Sequence, residues 1–571
     1  MHLVSDINNY ILQKKDKKYL LIIFFGIILT TILETVSIAS IIPIFNIIVL
    51  EKFTLNSFLN LKHFKFDINF KLWALLIFVI IFAIKNFFII IFNLFFINYI
   101  CKLNINISNR LFYSCLRQDY IFFLKGKSKR FLQTVTDDVI HTNGLLLSLT
   151  NILIEFFFIL AISIYLIWVN YKIFILCLII FSITFFLYFK IFKKKIENWS
   201  IQYWDSTGKI KNLVIEGMSG IKDVIVYNLK DFFFNSFKSQ AYLSNRSKSR
   251  IDFLNNVQKY WLEMIAISTM IFSLIYFIFF EFNINNLIPI FGVFAFALFR
   301  LLSSFNRIVV HVQNVKFFYP SFLSVINLFK SFETSKQDSF NKEFQFQNTI
   351  EFKNVTFFYD DTSNKILKNI NLKIKKGNSI GIVGKNASGK STLLNLISAL
   401  IQPTEGEIII DNKYDLYFNR SLWNEKISYI QQNIFLLDSN IKNNICLEEE
   451  NKIDHSRFNK IVNDLELNSF FKDHPNLLNS KVENNGSNLS GGQKQMISLA
   501  RALYKKNSEI IILDEPSSAL DIVNSQLLKK ILLLLKGKKT IFMVTHDKDF
   551  FFDCFDKIIE IDRGEIIQSK S

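Results

Sequence analysis

The chain has 571 residues, 51% of them hydrophobic, with 64 phenylalanines and a net charge of +18. That length is too great for one domain, and that apolarity is high for a wholly soluble chain. The positive charge has an ordinary source in AT-rich codon usage and in the cytoplasmic Lys/Arg excess of membrane proteins, so no nucleic-acid partner is expected. Five scattered cysteines, Cys101, Cys115, Cys177, Cys446 and Cys554, form no CxxC pair and imply neither a zinc site nor a disulfide framework.

Six stretches are long and apolar enough to cross a bilayer: 19–45, 72–98, 146–169, 172–192, 260–280 and 286–310. The first, continuing to Val49, is too long for a signal-peptide core and reads as a span. The third and fourth are separated only by Asn170 and Tyr171, which predicts a tight helical hairpin. Basic residues cluster before the first span (Lys14, Lys15, Lys17, Lys18) and in two long helix-like intervals. One interval holds Arg110, Arg117, Lys125, Lys127, Lys129 and Arg130; the other holds Lys193, Lys194, Lys195, Lys209, Lys211 and Lys222. The loop between spans five and six contributes only Glu281. The positive-inside rule therefore places the N-terminus and both intervals in the cytoplasm, with the spans continuing as helices into the cytosol. Residues 51–71, with Phe53, Leu55, Phe58, Leu59 and Leu61, lie outside, as a short interfacial helix or an ordinary amphipathic loop.

Residues 331–347 are polar and linker-like, dividing a membrane domain, 1–330, from a region of alternating strand-like and helix-like runs, 348–571. There, an apolar strand enters Gly384-Lys385-Asn386-Ala387-Ser388-Gly389-Lys390-Ser391-Thr392 and then a helical run. This is a P-loop in its proper context of strand, loop and helix. Small residues let backbone N–H groups crowd the phosphates of ATP, Lys390 reaches the β and γ phosphates, and the Ser391 hydroxyl suits Mg2+. A second apolar strand, 509–513, ends in Asp514 and Glu515, one carboxylate for the metal shell and one to polarise a water.

Between these lies Leu489-Ser490-Gly491-Gly492-Gln493, which resembles the signature motif of the ABC ATPases. The resemblance covers about 349–571. It implies that Tyr359 stacks on adenine, that Gln432 belongs to a Q-loop that senses Mg2+ beside Ser391 and Asp514, that Ser518 to Asp521 form the D-loop, and that His546 is the switch histidine. It also implies a dimer, because the signature of one subunit caps the ATP held by the P-loop of the other. Complete motifs favour a homodimer over a heterodimer. Departures are Ala387 for a common Gly, Gln431 for a Pro, Asn484 for an acid and Met496 for an Arg; none removes a catalytic group.

The whole chain resembles an ABC exporter half-transporter: an α-helical six-span membrane domain followed by an α/β P-loop ATPase domain. The stretch 116–123, followed by 136–139, looks like a first coupling turn, and Glu216 to Asp223, with Gly217 and Gly220, like a second, both expected on the ATPase near Gln432. Ionisable residues inside spans point to cargo. Lys85, Lys259, Arg300 and Arg307 would make a basic cavity for an anionic head group. Alternatively they pair structurally with Glu34, Glu155 and Glu263, Lys259 and Glu263 along one helix. Segments 33–45, 258–267 and 296–309 resemble the flippase of lipid-linked oligosaccharides in bacterial protein N-glycosylation, which implies an anionic lipid-linked substrate and a place in the bacterial inner membrane. Export of another cargo, a glycolipid, drug or peptide, stays open.

Overall fold

A computed structural model describes residues 2–40, 68–124, 131–279, 284–333, 344–359, 365–472, 477–483 and 485–570. The interfacial segment expected at 51–71 falls mainly outside these residues, as do most of the linker, Glu281 and Asn484. The chain divides into two compact units: residues 1–118 with 126–335, and residues 119–125 with 336–571.

The first unit is helical. Its main helices are α1 (Asp16–Ala39), α2 (Ile68–Leu116), then, after α3 (Tyr120–Leu124) of the other unit, α4 (Val139–Ser219), α5 (Ile221–Val226), α6 (Lys230–Phe279) and α7 (Ile284–Glu333). Helices of 49 or 50 residues reach about 75 Å, against a hydrocarbon core of about 30 Å. Each therefore extends well beyond a single bilayer crossing. Among the described residues, 16–37, 75–116 and 131–168 are long and apolar enough to cross a membrane.

The helical pattern of α4 is unbroken over 81 residues. Yet the rings of His141 and Trp204 lie 4.3 Å apart, where a straight helix would separate them by about 95 Å. The chain therefore doubles back near its midpoint, beside Asn170 and Tyr171, as a hairpin. Both arms pack on α7: Trp204 Nε1 and Ser200 Oγ each donate to the Phe317 carbonyl at 2.7 Å, and His141 stacks on Phe318. Small residues admit close approach elsewhere, since a Cβ on Gly26 of α1 would lie 2.1 Å from the Phe92 ring of α2.

The second unit holds two sheets. An antiparallel sheet has the order β2-β1-β4-β5, from β1 (Thr349–Phe357), β2 (Leu367–Lys375), β4 (Glu405–Ile410) and β5 (Tyr414–Asp415). The other sheet has the order β10-β9-β3-β8-β7-β6. It is built from β3 (Ser379–Gly384), β6 (Ile427–Ile430), β7 (Ile510–Asp514), β8 (Thr540–Val544), β9 (Lys557–Asp562) and β10 (Glu565–Lys570). Its inner strands pair in parallel, and only β10 runs antiparallel. β7 and β8 are buried along their whole length, as strands covered on both faces must be. β3 and β7, on either side of β8, carry the P-loop and the Asp514–Glu515 pair at the carboxyl edge of the sheet, where α/β folds bind ligands.

Candidate functional site

β3 ends at Gly384 and α8 (Lys390–Ile397) begins six residues later. The turn between them needs left-handed backbone at Gly384, Ala387 and Gly389. At Gly384 a Cβ would meet the Ile561 carbonyl at 2.2 Å, so only glycine fits there. Ala387 adopts φ 61° despite its Cβ, the one position where the loop departs from the more permissive residue. Lys385, Asn386 and Ala387 are exposed, whereas Ser388, Lys390 and Thr392 are buried. The Lys390 ammonium donates to the carbonyls of Gly384 (2.9 Å) and Lys385 (3.0 Å), which folds it back over the loop. The buried Ser388 hydroxyl has no partner among the described residues. A backbone cradle with a lysine across its mouth is suited to a polyphosphate.

Ser391, at the start of α8, hydrogen-bonds Asp514 at the end of β7. Burial, then the neighbouring Glu515, push the Asp514 carboxyl above the usual range, while Ser391 and Lys390 oppose this. A divalent cation at this pair would relieve that repulsion, so the oxygens present fit Mg2+. Among the described residues no cluster of three or more His, Cys, Asp or Glu could hold a metal alone. That suits an ion that takes one or two protein oxygens and leaves the rest to phosphate and water. Glu515 itself sits in left-handed backbone at φ 51°. Gln432 Nε2 donates to its Oε2 at 2.8 Å, and His546 Nε2 lies 3.0 Å from its Oε1. Two residues drawn from two other sequence motifs thus meet on the Glu515 carboxylate.

Ser490 caps α9 (Gly491–Tyr504) with a reciprocal capping box, Gln493 N donating to Ser490 Oγ and Ser490 N to Gln493 Oε1. The outer end of this helix, Ser490 and Gly491, is exposed. Gly491 lacks a side chain where Ala519 packs, since a Cβ would lie 2.9 Å from the alanine methyl. Ser518 N donates to the Glu515 carbonyl, and Asp521 caps α10 (Ile522–Leu535) by accepting from Asn524 N. Tyr359 stands edge-on to Phe357 at 4.9 Å.

Two sequence profiles match this chain. That of the ABC transporter transmembrane region covers residues 20–304, and that of the ABC transporter ATP-binding unit, described simply as ABC transporter, covers 367–518. The chain belongs to the ABC transporter family. A transporter relative called ATP-dependent lipid A-core flippase, from Pseudoalteromonas translucida, is 36% identical over 38% of this chain and 38% of its own length. The match thus spans well under half of that relative. A protein of the same description from Photobacterium profundum is 24% identical over 82% of this chain and 79% of its own. Among solved structures, a bacterial Atm1-family ABC exporter with ATP bound has the same fold, with a TM-score of 0.79 at 16% identity, covering 97% of this chain and 96% of that one.

The segment α3, expected from the sequence as a first coupling turn, lies in the same compact unit as the ATPase fold. Asp119 ion-pairs with Arg420, which also donates to the Tyr417 hydroxyl at 3.0 Å, and Ile121 packs against the ATPase core. Burial and the Asp119 charge push the Tyr417 hydroxyl up to about 12. Arg420 and Tyr417 went unassigned in the sequence because they belong to no motif; only a basic residue amid aromatics, YFNRSLW, marks the spot.

In the membrane domain the four basic candidates have definite neighbours. Arg300 ion-pairs with Glu34 and lies 4.5 Å from the Phe158 ring centroid. Lys85 stands over the Phe82 ring at 4.6 Å, within electrostatic reach of Glu34 and Arg300. Arg307 pairs with Glu155 at 2.6 Å, and Lys259 with Glu263 at 3.8 Å. The structure therefore gathers Lys85 and Arg300 around one acid and leaves Lys259 and Arg307 each in its own pair.

Proposed function

We propose that this protein is an ATP-driven exporter of the bacterial inner membrane, acting as a homodimer with its ATPase domains in the cytoplasm. The observation that carries the reading is Glu515, held between Gln432 and His546 beside a P-loop. In this reading the residues 384–392 bind the phosphates, Tyr359 receives the adenine, and Ser391 and Asp514 hold Mg2+ with Gln432 close by. The Mg2+ would offset phosphate charge. Glu515 polarises the attacking water, and His546 orients Glu515 and reaches toward the γ-phosphate. Ser490 to Gln493 of the second copy close the site, with Asp521 of the D-loop at the same junction.

For cargo, the reading is an anionic lipid such as a polyprenyl-pyrophosphate oligosaccharide. It is supported by the group Lys85, Glu34 and Arg300, whose two cations exceed its one acid and so leave a net positive charge among the spans. A second reading, a lipid A-like glycolipid, is favoured by the names of the relatives. The test is ATP hydrolysis by the purified protein in nanodiscs, with each lipid added in turn. Stimulation by the pyrophosphate lipid, absent in Arg300→Ala while basal turnover persists, supports the first reading. Stimulation by lipid A alone supports the second, and basal turnover indifferent to both removes both cargos.

A further inference from the structure

At the end of spans four, five and six, a cavity of about 360 Å³ opens between the second arm of α4, α6 and α7. Its wall includes Tyr188, Phe192, Leu254, Trp261 and Phe305, and is apolar except for Gln258, the Tyr188 hydroxyl and the Trp261 indole N–H. Gln258 is 2% exposed, and neither its amide nitrogen nor its amide oxygen has a partner among the described residues. A buried amide without a partner in an apolar wall calls for a ligand that brings one polar atom with an apolar body. The rim supplies a second constraint. Phe192 lies under the Lys195 ammonium, 5.8 Å from the ring centroid. Lys193 follows Phe192 directly, and Lys316 of α7 is within electrostatic reach of it. The spans read from the sequence end at residues 192 and 310, which puts all three lysines on the cytosolic side of the cavity.

We propose that this cavity is a binding site for an anionic phospholipid of the cytoplasmic leaflet. One acyl chain fills the apolar wall, the Gln258 amide donates to an ester carbonyl, and the phosphate rests among Lys193, Lys195 and Lys316. This vertical order, chain then carbonyl then phosphate, is that of a phospholipid standing in its own leaflet. It needs no transfer of the head group toward Arg300, about 13 Å further along α7 from Val309, so the site is separate from the proposed cargo group.

The test uses the full-length protein in phosphatidylcholine bilayers carrying a minor fraction of phosphatidylglycerol. Retained lipid is then counted by native mass spectrometry after detergent extraction. Phosphatidylglycerol is expected to be enriched over its bilayer fraction. The exposed Lys195→Gln should lower that enrichment about fivefold, the effect of one lysine near an anionic surface. Gln258→Leu, similar in volume, should shorten retention of every phospholipid, and Val257→Phe should abolish it by filling the cavity. If Val257→Phe does not fold, the first two variants still decide. Equal retention of the two lipids, or enrichment unchanged in both Lys195→Gln and Gln258→Leu, overturns the proposal. So does retention of added polyprenyl-pyrophosphate in preference to phosphatidylglycerol, which would make the cavity a cargo site.

Discussion

Glu515 occupies left-handed backbone that a non-glycine residue adopts only at a cost of about 1 kcal/mol or more, and the surrounding hydrogen bonds hold it there. Gln432 and His546 each approach one of its carboxylate oxygens, so protein contacts orient the side chain. Glu515→Gln keeps the shape of the side chain but removes the carboxylate proposed as the base. Steady-state phosphate release should fall by about 10²- to 10⁴-fold, with ATP binding retained when measured by a fluorescent nucleotide. Unchanged turnover would move the base elsewhere. The setting of this residue was legible in the sequence: a carboxylate at a strand end, one step past another. The partners of Arg300 and Arg307 were legible only as a choice of acids. Lys259 and Glu263 could be matched because four residues along one helix fixes a shared face. Arg300 with Glu34, and Arg307 with Glu155, are matched across 266 and 152 residues by helix register, which no local pattern encodes.

At the scale of elements, the short helix α3 is the informative case. It is five residues long and too short to be stable alone, so its shape comes from what it packs against. Its anchors are the Asp119–Arg420 pair and Ile121 against the ATPase core. If α3 relays nucleotide state, weakening its anchor should reduce coupling more than chemistry. Arg420→Ala is expected to cut lipid-stimulated ATP turnover about fivefold, the scale of roughly 1 kcal/mol between neighbouring charges, and to leave basal turnover within about twofold. The exchange of charges in Asp119→Arg with Arg420→Asp should recover part of the loss. Equal losses of basal and stimulated turnover would assign the pair to folding instead. That this segment meets the ATPase could be expected from its likeness to a family segment, but its partner residues could not, because Tyr417 and Arg420 acquire meaning only when β5 and the helix after it bring them together. The hairpin of α4 is the opposite case. Two apolar stretches, each the length of a bilayer, cannot continue in line without leaving the membrane, so the reversal was forced by length alone.

At the scale of the whole molecule, one chain carries one P-loop and one signature motif, and both are presented at surfaces: Lys385 to Ala387 on one, Ser490 on the other. If each ATP is enclosed by the P-loop of one copy and the signature of the other, a two-fold pair makes two equal sites. That geometry has a consequence that a site built within one chain does not share. Lys390→Ala destroys the P-loop, Ser490→Arg blocks the signature, and each variant alone should hydrolyse no ATP. Co-expressed with different affinity tags and purified through both, the mixed dimer has one site with both faults and one site with none. It should regain up to about half of the wild-type turnover, where both parents have none. A mixed dimer as inactive as its parents, with both chains present and ATP bound, would mean that each chain completes its own site, and the head-to-tail arrangement would be lost with it.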